Sequence, residues 1–290
     1  MNVKTRRSIA LMLLIAGLLS CKNVCAQDLT NDSVIIEQML KMAPDYDQKK
    51  MTPNQLFLYF ARELKGTPYV AHTLDRTDDE RMVINIRELD CTTYLENVLA
   101  LTQCAKAHEL SFEAFKRHLR DIRYRQGVLS YENRLHYYQW WVEDNERMGF
   151  VKEINLPNPP FTAVQTLKIN YMSTHQDSYD MLRHHPERVR ALKVIEDQTN
   201  GKKVRYIPKA EIKNTKLMRE TIHDGDILAI VTKKKDLDTT HLGIAVWKKD
   251  GLHLLNASMI YKKVVEDTMT LREYMMQREY HIGIRVARIM

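Results

Sequence analysis

The chain lacks every feature that would mark a repeat protein, a membrane-spanning protein or an obvious metalloenzyme. Its 290 residues hold four cysteines, and they contain no internal repeat, no low-complexity tract, no HExxH and no clustered set of cysteine ligands. The fifteen methionines show no copper-site spacing and read as gap-filling core residues. The apolar stretch from Ile9 to Leu19 falls short of the ~20 residues that a membrane-spanning helix needs. Acidic residues are missing from residues 1–26, so Lys4, Arg6, Arg7 and Lys22 inflate the formal charge of +7; without them it is +3, with charges of both signs interleaved. That balance describes a solvated surface and argues against nucleic acid as a partner.

What the first residues do contain is an export signal, with Lys4, Arg6 and Arg7 ahead of Ile9 to Leu19 and small residues after it. Two ways of processing it fit. Val24-Cys25-Ala26 before Gln27 suits cleavage to a soluble chain, which makes 1–26 a signal peptide; Leu18-Leu19-Ser20-Cys21 resembles a lipobox that would anchor the protein through Cys21. Either route implies an exported, periplasmic protein with no transmembrane segment in its mature form, and residues 27–290 form one catalytic domain.

Only Cys91 and Cys104 certainly remain after processing. An even cysteine count in an exported chain ordinarily suggests a disulfide. Asp90 is a candidate N-cap, however, and Tyr94, Leu95, Val98, Leu99 and Leu101 recur at helical spacing through Thr92 to Ala107. The two cysteines then lie on one helix roughly 20 Å apart, beyond the ~7 Å that a disulfide spans between α-carbons. Cys104 becomes a small buried residue. Cys91 becomes a candidate nucleophile, its thiol pKa lowered by the positive end of the helix dipole. The partner such a thiol needs is a base, and His241, opening the strand-like run to Trp247, is the candidate.

Helical patterns come first along the chain: Ser33 to Met42; a helix capped by Thr52 with Pro53 in its first turn; the Cys91 helix; one capped by Ser111; part of Arg134 to Gly149; and Tyr179 to Ile195. Met82 to Ile86 reads as a strand and residues 155–175 as irregular. Strands then accumulate at Asp226 to Thr232, His241 to Trp247, Leu252 to Asn256 and Ile282 to Ile289, with Lys249-Asp250-Gly251 as a hairpin turn. Helices segregated ahead of an antiparallel sheet make an α+β fold.

In order along the chain, Gly66-Thr67-Pro68-Tyr69, Asp90-Cys91, His241-Leu242-Gly243-Ile244 and Asn256-Ala257-Ser258 resemble the successive motifs of the NlpC-type, papain-like cell-wall cysteine hydrolases. Two features depart from the compact members: Ala71-His72 replaces the usual Gly-Gly, and 150 residues separate Cys91 from His241. The long spacing is similar to the N-acetylmuramoyl-L-alanine amidase-like branch, and so are Arg134, His136-Tyr137-Tyr138 and Ser173-Thr174-His175. The resemblance implies a papain-like core, its nucleophile helix packed on an antiparallel sheet or partial barrel. It also implies catalytic Cys91, His241 and Asn256, with Asn256 orienting the imidazole and Tyr69 beside the nucleophile. The substrate would be a peptidoglycan fragment, a muropeptide, cut between the muramyl lactyl group and L-Ala.

Residues 108–205 are the expected substrate-binding insertion. Arg134 would pair with a carboxylate, Tyr137, Tyr138, Trp140 and Trp141 would stack on a sugar, and Ser173 and His175 would reach the site from it. No cofactor or metal is expected, and a monomer is. Cleavage within the stem peptide uses the same thiol chemistry and stays open as an alternative. A zinc amidase drawing on His175, His184 and His185 and a non-catalytic wall-binding module are weaker readings.

Overall fold

The computed structural model describes residues 31–290, so the export signal, its two cleavage positions and Cys21 lie outside the described residues. Helix α1 spans 31–42. It is followed by α2 (Pro53–Glu63), α3 (Cys91–Lys106), α4 (Phe112–Arg123), α5 (Tyr138–Arg147), β1 (Val151–Ile154), β2 (Ala163–Thr166), α6 (Tyr171–Thr174), α7 (Asp180–Arg183), α8 (Pro186–Thr199) and β3 (Lys203–Pro208). The remainder comprises α9 (Lys216–Thr221), β4 (Ile227–Thr232), β5 (Thr239–Trp247), β6 (Leu252–Ser258), β7 (Lys263–Thr270), α10 (Leu271–Met276) and β8 (His281–Ile289). None of the described helices is long and apolar enough to cross a membrane.

The eight strands form an antiparallel sheet in the order β2-β3-β8-β4-β5-β6-β7, with β1 pairing β8 beyond the short β3 contact. Alternation along the central strands supplies two faces. Ile227 and Ala229 of β4, Ile244 and Val246 of β5, and Leu255 and Ala257 of β6 join the larger core. Leu228 and Ile230, Ala245, and Leu252 and Leu254 turn to a second core with Ile212, Met218, Leu271 and Met275. Every residue of β4 is therefore buried. Helices α2 to α5 cover the first face, and α9 and α10 cover the second.

The mixed α+β architecture with an antiparallel sheet matches the sequence reading, with local differences. Met82 to Ile86 is no strand. Ile84 and Ile86 are buried, but the Val83 carbonyl accepts from Arg123 Nη1 at 2.6 Å and the Asn85 carbonyl from Asn97 Nδ2 at 3.4 Å, so side chains replace a ladder. Pro186 splits Tyr179 to Ile195 into α7 and α8. The stretch 108–205 is interwoven with the rest: α4 and α5 share the larger core, and β1 and β2 extend the sheet.

Helix α3 runs through the centre, buried from Thr93 to Ala105. Its one acidic side chain is Glu96, 2% exposed, which accepts from Arg123 Nε at 2.6 Å. Burial raises the Glu96 pKa, and the Arg123 charge opposes that. Removing one partner of such a pair leaves a buried charge without compensation. Glu96→Ala is expected to lower unfolding stability by about 3–5 kcal/mol, read as a reduced urea midpoint at unchanged slope.

Candidate functional site

The site begins at the first turn of α3. The Asp90 carboxylate accepts from the backbone N–H of Thr92 at 3.0 Å and of Thr93 at 2.8 Å, and the Thr93 hydroxyl returns the contact by accepting from Asp90 N at 2.9 Å. This capping box fixes the helix start and makes Cys91 its first residue. Cys91 and Cys104 are both free thiols, Cys91 partly exposed and Cys104 buried. Immediately before the cap, Leu89 bridges to Tyr69, with Leu89 N donating to the Pro68 carbonyl at 3.0 Å. That short pairing holds Tyr69 beside the cysteine.

The expected lowering of the Cys91 pKa is not found. Burial and the Asp90 carboxylate push the thiol up to about 12, against the opposing pull of the Leu242 amide, the Thr92 hydroxyl and the cysteine's own amide. The physical reason is first the burial of the sulfur, which disfavours its charged form, and second the cap, whose carboxylate sits at the helix end that would have favoured a thiolate. Tyr69 is raised to about 12 as well, by burial and by its proximity to Cys91 and Asp90.

His241 enters near the start of β5, where a bulge between Ile230 and Val231 of β4 shifts the register. Its Nε2 lies 3.0 Å from Asn256 Oδ1 of β6. Asn256, 1% exposed, donates from Nδ2 to the Leu254 carbonyl at 3.3 Å, which turns its oxygen toward the imidazole. An amide oxygen only accepts, so Nε2 carries the ring proton and Nδ1 is left as a base. Burial holds His241 below its usual pKa, with Arg278 adding to the effect and the Asn256 bond and Asp90 opposing it. Gly243 makes the pairing possible. A Cβ there would lie 2.6 Å from Leu254 Cδ1 and 3.1 Å from Asn256 Cβ.

Cys91 and His241 together line two adjoining cavities. The inner one, of about 210 Å³, is walled by Tyr137, Tyr138, Trp141, Met172 and Tyr179, with Asp238 also in its lining. The outer one, of about 430 Å³, is lined by Tyr69, Tyr171, Tyr179, Ser258 and Tyr274, among others. Tyr69, Tyr137, Cys91 and His241 are thus brought to one place, with Asn256 behind the imidazole. Arg134 is not brought there. Its guanidinium is buried, bonded to Asp75 at 2.5 Å and lying 3.7 Å from Glu80 and 4.7 Å from the Tyr131 ring centre. Tyr137 presents its ring, while its hydroxyl donates to Glu196 at 2.7 Å and accepts from Met172 N at 3.0 Å.

Trp140 is buried with Nε1 donating to Thr199 at 2.8 Å and lies outside both linings, so the stacking role expected of it does not hold. Ser173 donates its hydroxyl to the Asn170 carbonyl at 3.3 Å, and the exposed His175 stacks on Tyr171 at 4.1 Å; neither lines either of these two cavities. Of the histidines weighed for zinc, His185 is engaged by Asp78 and Glu187, and no group of three or more His, Cys, Asp or Glu side chains suited to a metal occurs among the described residues.

Sequence reasoning missed the far wall of the outer cavity: Lys234, Tyr274, Arg278, Tyr280 and His281. His281, 2% exposed, stacks on Tyr274, whose ring centre is 6.2 Å from that of His241. Burial, Arg278 and His241 lower the His281 pKa to about 4. Its one sequence signal is a polar residue at the head of an apolar strand, which also describes His241.

No protein of curated function matches the chain. A crystal structure of an N-acetylmuramoyl-L-alanine amidase from Bacteroides uniformis ATCC 8492 is 37% identical and superposes with a TM-score of 0.76 over 83% of this chain and 100% of that one. A Bacteroides fragilis protein proposed as a xylanase is also 37% identical, with a TM-score of 0.74 over 80% and 100%. Protein LPG0564 of Legionella pneumophila str. Philadelphia 1, 21% identical with a TM-score of 0.68 over 91% and 96%, shows the shared fold alone. A family model matches residues 59–284, a span holding Tyr69, Cys91, His241 and Asn256, and by that match the chain belongs to the AmiA-like, N-acetylmuramoyl-L-alanine amidase-like family.

Proposed function

We propose that this protein hydrolyses the amide between the N-acetylmuramoyl lactyl group and L-Ala of anhydro-muropeptide fragments, by a Cys91–His241 thiol mechanism on a papain-like core. The observation that carries the reading is a partly exposed cysteine heading a buried helix, in the same two cavities as an imidazole whose Nε2–H is held by Asn256. An amide needs a strong nucleophile, a proton for its leaving amine and stabilisation of the oxyanion. Cys91 Sγ attacks the lactyl carbonyl as His241 Nδ1 takes the thiol proton. The tetrahedral oxyanion is met by the Cys91 backbone N–H and the Tyr69 hydroxyl. Collapse expels L-Ala nitrogen with the proton from His241, and water, activated by the same imidazole, hydrolyses the thioester. Export to the periplasm, in soluble form or anchored through Cys21, belongs to the same proposal, as does action as a monomer.

The xylanase reading of the Bacteroides fragilis relative does not transfer. Glycosidases work with two carboxyl groups flanking the scissile bond. Asp238 is the only carboxylate lining the two cavities among the described residues, and its oxygens accept from Gln139 N at 2.8 Å and Thr239 N at 2.7 Å.

Iodoacetamide treatment and Cys91→Ala are expected to remove activity by more than about 10³-fold while a chelator leaves it intact. Mass spectrometry of the products from one defined anhydro-muropeptide should show free stem peptide and peptide-free sugar. Cleavage inside the stem would replace the amidase by an endopeptidase, and chelator sensitivity with iodoacetamide resistance would reject the thiol.

The pH profile follows from the two shifts. Cys91 raised to about 12 and His241 lowered from 6.5 leave both neutral at rest, so the imidazole acts as a true general base. Protonation of His241 removes that base, so kcat/KM is expected to fall only below pH 6.5 and to stay level up to about pH 9, with a normal solvent deuterium isotope effect. A preformed ion pair would instead give an acid limb set by a low thiol pKa and little isotope effect.

Gly243→Ala tests the orienting role of Asn256 without changing a reacting group. The added methyl, 3.1 Å from Asn256 Cβ and 2.6 Å from Leu254, forces one of them aside. A drop in kcat of about tenfold or more with a near-native fold by circular dichroism is expected, since small misplacements of a base are costly.

A further inference from the structure

The outer cavity carries a charge pattern that the proposed thiol chemistry does not use. Arg278 and Lys234 line it, and no carboxylate does among the described residues. Neither cation has an acidic partner among the described residues. Arg278 lies 5.3 Å from the Tyr274 ring centre and Lys234 lies 4.2 Å from that of Tyr280, and these ring contacts are their side-chain interactions. Most buried or half-buried arginines elsewhere are paired: Arg123 with Glu96, Arg134 with Asp75, Arg285 with Glu153 and Arg288 with Asp226. In the same lining His281, 2% exposed and stacked on Tyr274, has a buried Nδ1 with no hydrogen-bond partner among the described residues. A buried polar nitrogen left unpaired costs stability unless a ligand or water satisfies it.

We infer that Arg278, Lys234 and His281 form a carboxylate-binding subsite that holds the peptide part of the substrate on the Tyr274 side of Cys91. This deepens the proposed function and rests on it for the identity of the substrate. A guanidinium on an aromatic face, without a competing acid, is suited to paired hydrogen bonds with a carboxylate. The neutral His281 adds a hydrogen bond without adding charge, and Lys234 supplies field at the rim. The subsite shares the outer cavity with Tyr69 and Cys91, so a carboxylate held there fixes the scissile amide relative to the thiol.

Binding is measured separately from cleavage, with Cys91→Ala protein titrated calorimetrically against a muramoyl tripeptide bearing free carboxylates and against the same molecule with its carboxylates converted to amides. The free acid is expected to bind at least about tenfold more tightly, with a preference that weakens as salt rises. Adding Arg278→Gln should erase the preference while leaving affinity for the amide form unchanged, and His281→Ala should reduce it. Equal binding of acid and amide, no binding of either, or a preference that survives Arg278→Gln would overturn the subsite. Acid-selective binding alongside a parent enzyme that releases no product would sustain the subsite and defeat the amidase reading.

Discussion

The site depends on how one helix end is closed. Asp90 satisfies two of the unpaired amides of α3 through its carboxylate, and Thr93 completes the box, so the helix starts at Cys91. The same carboxylate cancels the field that commonly activates a helix-head cysteine. In the proposed mechanism position and activation are thus separated: α3 places the sulfur, and removal of its proton is left to His241 on a neighbouring strand. A thiol raised to about 12 beside an imidazole shifted downward is a consistent pair, since burial disfavours charge on both. In the proposed reaction the charges arise only as the carbonyl is attacked, where the developing oxyanion can share the donors.

The sheet positions His241 by alternation. Leu242, Ile244 and Val246 of β5 are spent on the larger core, which pins the strand against α3. The intervening positions, His241, Gly243 and Ala245, belong to the other set, and Gly243 is the close approach that lets β6 bring Asn256 to the imidazole. Leu255 and Ala257 fix β6 in the same way while Leu254 and Asn256 alternate with them. Apolar residues therefore set the register on which the His241–Asn256 pair rests. The buried Glu96–Arg123 pair ties α3 to α4 across the helical layer, so the helix that carries Cys91 is anchored from both sides.

The parts of this arrangement that are local in sequence were legible there. Asp90, Thr52 and Ser111 each accept from a backbone amide at the helix start as their positions imply, and the β-rich runs at 226–232, 241–247, 252–256 and 282–289 are strands within a few residues. The misses are tertiary. Val83 and Asn85 have strand-like neighbours, but their carbonyls are claimed by side chains of α3 and α4, which no periodicity announces. Arg134 has the chemistry of a carboxylate clamp and is instead committed to Asp75 and Glu80, acids more than fifty residues away. The thiol pKa departs from the helix-start expectation first because tertiary packing buries the sulfur, and second because the cap carboxylate lies beside it; the helix-start signal displays neither effect. Strands β1, β3 and β7 are short or edge-lying and partly polar, so their burial patterns are weak.

The far wall of the outer cavity was invisible for a related reason. Lys234, Tyr274, Arg278, Tyr280 and His281 come from the β4–β5 connection, from α10 and from the entry to β8, segments that read as ordinary surface. Antiparallel pairing of β8 with β4, and of β4 with β5, carries His281 and His241 toward the same end of the sheet, and Tyr274 of α10 lies against both rings. Arg278 then acts on both imidazoles, lowering each. In the proposed site, a cation that helps keep His241 neutral, and that lacks a carboxylate partner among the described residues, links the two halves. An anion seated on Arg278 would offset its field at His241, raise the basicity of the imidazole when substrate is present, and so couple binding of the peptide to readiness for proton transfer.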